Sequence, residues 1–159
     1  MSFVAFTPKL SGAPCSLADI RSFEEFAHAS LPQEYTEFLL RWNGCVPASD
    51  ADTFTSADEL PGGNEITVHQ FFSLSDKNPP MRSLYAELEA DVGFMPMTTI
   101  PIGEDSFGNV IGLDCETGLV NWTLCEQRFA LDCLRNFDLG ITFSAFIESL
   151  KPGPYMNTN

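Results

Sequence analysis

A chain of 159 residues with 44% apolar and 19% charged residues has the size and composition of one globular domain, residues 1–159, with a core that needs no disulfide or metal staple. Its formal net charge is −14 at pH 7, with only eight Lys and Arg, which excludes the basic footprint of nucleic-acid binding and opposes anionic membranes. From Trp42 to Gln127 there are 14 acids and two bases, so nearly all of the excess charge sits in the middle of the chain.

The first predicted element is a helix over 17–29. Ser16 can cap it, Asp19 holds the reciprocal position three residues on, and Leu17, Ile20, Phe23 and Phe26 are its apolar residues. A second helix spans 32–43 within "LPQEYTEFLLRWNG". Pro32 suits a first turn and Gly44 the left-handed position after the last one. Tyr35, Phe38, Leu39 and Trp42 form one stripe at i, i+3, i+4 and i+7, which predicts burial in the core.

Residues 46–65 carry five acids and no base and read as a loop, with a short turn or strand near Phe54. "EITVHQFFSL" (65–74) is β-branched and aromatic, hence a strand, and 76–80 a loop. Met81, Leu84, Tyr85, Leu88 and Val92 have helical spacing ending at Gly93. "TTIPIG" (98–103) reads as a strand whose Pro101 suggests a sheet edge or a strand end. "EDSFGN" (104–109) is a turn, and "NVIGLD" and "LVNWTL" are strands joined by a hairpin loop. Residues 125–139 give no clear period. Thr142 caps a final helix bearing Phe143, Phe146, Ile147 and Leu150, and 152–159 form a flexible tail. Helices at both ends around hairpin-type strands predict an α+β fold with a mostly antiparallel sheet.

Catalytic and metal motifs are missing from the sequence. His28 and His69 are isolated, and the five cysteines contain no C-x-x-C pair, so reduced thiols are expected and neither metal nor cofactor is. "GEDSFG" lacks the Lys-Ser/Thr of a phosphate loop, and the carboxylates of "DADTFTSADE" do not match a calcium loop. Adjacent Glu104 and Asp105 point apart on an extended chain, a poor acid–base dyad. The chain therefore reads as a binding protein rather than an enzyme. No apolar run is long enough for a membrane helix, and "MSFVAFTPKLSGAPCS" lacks the basic start and apolar stretch of a secretory signal, so cytoplasm is the expected location.

"FEEFAHASLPQEYTEFLLRWNGCVP", "ITVHQFFSL", "TTIPIGEDSFGNVIGLDCETGLVNW" and "TFSAFIESL" follow one another in an order and spacing that resemble the SUKH superfamily, the Smi/Knr-type domain, over residues 16–151. Cys45 stands where a second Gly is common, and Phe107 widens a turn often made of small residues. The resemblance implies an α+β fold with a mixed, mainly antiparallel sheet flanked by helices. It also implies a cytoplasmic immunity protein that occludes a toxin domain, often a nuclease and hence basic, or alternatively a regulatory scaffold of the Smi/Knr type unrelated to toxins. Loop 48–65 and turn 103–109 are expected to form the contact rim. Asp50, Asp52, Asp58, Glu59, Glu65, Glu104 and Asp105 would supply its charge and Trp122 an aromatic contact, in a monomer or weak homodimer.

Overall fold

The computed structural model describes residues 3, 6–74, 98–125 and 136–153. The helix expected over 81–92, the loop at 76–80, most of the aperiodic segment 125–139 and the end of the expected tail lie outside these residues.

Helix α1 spans Leu17–Ala27 and opens with the expected reciprocal cap. The Asp19 amide donates to Ser16 Oγ at 3.2 Å and the Ser16 amide to Asp19 Oδ2 at 2.7 Å. Its buried residues are Ile20, Phe23 and Ala27, whereas Leu17 and Phe26 are exposed. A three-residue spacing loses about 60° per step on a 3.6-residue helix, so Leu17 and Phe26 end on opposite flanks of the buried stripe. Helix α2 spans Gln33–Arg41, and here the stripe is as expected, with Tyr35, Phe38, Leu39 and Trp42 all buried. Gly44 then takes φ +77°, and a Cβ there would lie 2.7 Å from the Ser73 Cβ, so both backbone and neighbour demand glycine.

Eight strands form the sheet: β1 Pro8–Ser11, β2 Cys45–Pro47, β3 Thr53–Leu60, β4 Gly63–Phe71, β5 Thr99–Asp105, β6 Val110–Asp114, β7 Leu119–Thr123 and β8 Asn136–Thr142. The order is β1-β2-β4-β5-β6-β7-β8, with β3 also paired to β4. Every pairing between these strands is antiparallel. Helix α3 spans Phe143–Ser149, with Thr142 Oγ1 accepting from the Ala145 amide as its cap. It docks on α2 through the Ser144 amide, which donates to Glu34 Oε2 at 3.1 Å.

Two expectations change. Most of the segment 46–65 is strand rather than loop: β3 turns through Pro61 and Gly62 into β4, Phe54 pairs with Ile66 and Thr55 with Glu65. Its loop-like composition arises because the outer side of the hairpin faces water and carries the acids, while Thr53, Phe54 and Ser56 are buried. Pro101 lies within β5 rather than at its end. It pairs with Gly112 of β6 beside a register irregularity at Pro101/Gly103, while the pairing with β4 runs only from Gly103 to Asp105, so the position is locally edge-like. Such a place in a sheet tolerates a residue with no N–H.

The core is aromatic. Phe38 meets Phe143 at 5.0 Å, Phe71 at 5.3 Å and Trp42 at 5.3 Å between ring centroids, and Phe3 and Phe6 close over the same group. Phe71, Ile111 and Trp122 share one sheet face by register, and α2 and α3 cover it at Phe71. Farther along this face lies the β5–β6 turn.

Candidate functional site: a cleft beside an acidic hairpin

A cleft of about 360 Å³ lies at that end of the sheet, and among the described residues none from a helix lines it. Its walls come from the β3–β4 turn (Leu60 to Gly63), from Glu65 and Ile66 on β4, and from the β5–β6 turn (Asp105, Phe107, Asn109). Trp122 and Leu124 form the floor. None of the described lining residues is basic.

Asp105 organises this end of the molecule. Its side chain is buried and accepts four hydrogen bonds. The amides of Phe107 and Asn109 donate to Oδ1, both at 2.9 Å; Asn109 Nδ2 and Trp122 Nε1 donate to Oδ2 at 3.0 and 2.9 Å. The turn is also tied sideways, because the Ser106 amide donates to the Thr67 carbonyl at 2.9 Å. Gly108 takes φ +79°, which lets the chain reverse within so few residues. Asn109 Oδ1 accepts from the Cys125 amide, linking the turn to the end of β7. The outcome is a rigid turn that holds Phe107 at 80% exposure, the most exposed large apolar side chain among the described residues.

The residues expected to form one rim are divided by the fold. Asp58, Glu59 and Glu65 are exposed on the β3–β4 hairpin next to the cleft. Asp50 and Asp52 belong to the β2–β3 connection, at the end of β3 away from the hairpin turn. Asp52 accepts from Thr53 Oγ1 at 2.9 Å, and Lys151 bridges to Thr53 nearby. Glu104 points to the opposite side of β5 from Asp105 and accepts from Gln70 Nε2 at 2.6 Å. Asp105 and Trp122 are both about 4% exposed, too deep for a broad contact of their own. They shape the turn and the floor. Phe107 and Asn109 fall within the expected 103–109 rim without being named as its contact residues; the available signal is an aromatic residue in a turn too tight to bury it.

All four donors around Asp105 are committed to shaping the turn, and His28 and His69 are exposed elsewhere. Among the described residues no group of three or more His, Cys, Asp or Glu is gathered as a metal would need. Burial pushes the Cys45 and Cys115 thiols up to about 12 and raises Cys15 as well, so these sulfurs stay protonated at neutral pH and are weak nucleophiles.

The antiparallel sheet, with α2 and α3 packed on it at Phe71 and a cleft at one end, defines a small α+β protein. The chain matches the model of the SMI1 / KNR4 family (SUKH-1) over residues 14–141 and belongs to that family. No curated protein matches it in sequence.

Proposed function

We propose that this chain is a non-enzymatic binding protein, a cytoplasmic immunity protein that blocks a basic, nucleic-acid-cleaving toxin domain by covering it. The observation that carries this reading is the hairpin beside the cleft, where Asp58, Glu59 and Glu65 stand exposed and no described lining residue is basic. A nuclease must hold phosphates, so its working cleft is positive. Complementary charge raises association rates from about 10⁵–10⁶ toward 10⁸–10⁹ M⁻¹s⁻¹ at low salt. Membership of the SMI1 / KNR4 family supports a protein partner. It supports a regulatory scaffold of the Smi/Knr type equally well, and the identity of the partner separates the two.

The test is to produce the chain with the product of the neighbouring gene and follow their association by stopped flow. Replacing Asp58, Glu59 and Glu65 together by Asn, Gln and Gln should slow association at least tenfold at low salt and flatten its salt dependence, with the urea midpoint unchanged. An on-rate identical to the wild type would remove the steering role of the hairpin.

A further inference from the structure

We infer that the cleft beneath Phe107 is an anchoring pocket for one apolar side chain carried on a Lys- or Arg-containing segment of the protein partner. This inference rests on the reading that the partner is a basic protein.

Phe107 is costly to keep in water. Four hydrogen bonds to Asp105 and the tie from Ser106 to Thr67 nevertheless hold its turn in place. A side chain already ordered in the free protein loses little further freedom on binding, which favours it as a contact. Leu60, Ile66, Trp122 and Leu124, all buried apolar residues, line the cleft together with polar groups of Glu65, Asp105 and Asn109. A volume of about 360 Å³ is at the small end of ligand pockets, enough for one or two side chains and too small for a domain edge.

Charge and hydrogen bonding choose among occupants. Glu65 lines the cleft and Asp58 and Glu59 precede Leu60, so cations next to the inserted side chain meet acids at once. A second copy of a chain carrying −14 is repelled, as is an anionic lipid surface. A small polar molecule needs a directional partner inside. The indole N–H of Trp122 and both amide donors of the turn are already spent on Asp105. The cleft therefore offers apolar side chains to an inserted residue and an acidic lip to the cations beside it.

Trp122 supplies the reporter, since Trp42 gives the second of two indole resonances and lies in the helix core away from the cleft. The ¹⁵N-labelled protein is titrated with acetyl-Arg-Leu-Arg-amide, acetyl-Arg-Gly-Arg-amide and acetyl-Glu-Leu-Glu-amide. The expected result is a saturable shift of the Trp122 indole with the first peptide, at least fivefold weaker binding of the other two, and an unmoved Trp42. Phe107→Ala should weaken the first peptide at least fivefold, and Phe107→Tyr should preserve it. No shift of Trp122 up to millimolar peptide, an equal response to the Gly peptide, or an unchanged response in Phe107→Ala would overturn the inference. If the hairpin acids steer the partner while the peptides leave Trp122 unmoved, the anchor fails and the proposed function stands. If Trp122 responds but the acid variant associates normally, the steering role of the hairpin fails and the anchor stands.

Discussion

Asp105 shows how one buried carboxylate can set the shape of a surface. Its four donors include the indole of the cleft floor and the backbone of the turn that carries Phe107. Removing it orphans several groups in a poorly solvated place, each worth about 1–3 kcal/mol. Asp105→Ala is therefore expected to lower unfolding stability by about 3 kcal/mol in urea melts and to broaden the Trp122 indole resonance. A loss under about 0.5 kcal/mol would mean that the turn holds itself. Cys45 belongs to the same scale, since its thiol is pushed up by burial to about 12 from an ordinary value near 9. The unfolded thiol ionises first as pH rises past about 9, so the stability tied to the protonated buried form is complete below that and is lost toward pH 12. Unfolding stability should fall across this window by up to about 1.4 kcal/mol per pH unit from this group. Cys45→Ala should shallow the decline, which urea melts at pH 8, 9.5 and 10.5 would detect; an equal slope in the variant would assign the decline to other groups.

Among the elements, α2 was fully legible and β3 was not. A helix is recognised from its own residues when the stripe keeps a 3.6-residue period, as Tyr35, Phe38, Leu39 and Trp42 do. In α1 the cap at Ser16 was readable, but a run of apolar residues every third position mixed stripe with flank. The β3–β4 hairpin was hidden because its outward acids and its Pro-Gly-Gly turn resemble loop composition, although its partner strand is legible over 65–74. Pro101 was legible only in part: the neighbouring strands alone reveal a bulge. The weight of α2 gives a prediction of its own. Phe38 touches Phe3, Phe6, Tyr35, Trp42, Phe71 and Phe143, so Phe38→Ala should cost about 3–5 kcal/mol, read from denaturant or thermal unfolding. A cost near 1 kcal/mol would show that the aromatic group can collapse around the gap.

At the scale of the whole molecule, a charge of −14 repels itself and its copies, and the sheet decides where that charge is displayed. Asp58, Glu59 and Glu65 stay together on one hairpin, Asp50 and Asp52 are drawn to the far end near Lys151, and Glu104 looks to the other side. Steering should then depend on the first group much more than on the others. Neutralising Asp50 and Asp52 instead of the hairpin acids is expected to change the low-salt association rate less than twofold, measured against the same partner. A drop equal to that of the hairpin variant would point to a field spread over the entire surface.

The sequence by itself determined the fold class, the family, the cap of α1, the buried face of α2, the β6–β7 hairpin and the capped final helix. Each of these depends on residues close together in the chain, where period and capping act directly. Only the tertiary structure decided that Asp105 is a buried strut, that Trp122 is a floor, that Phe107 stands in water, and which carboxylates share a surface. Those facts depend on strand register, and register is fixed by packing between segments that the chain keeps tens of residues apart.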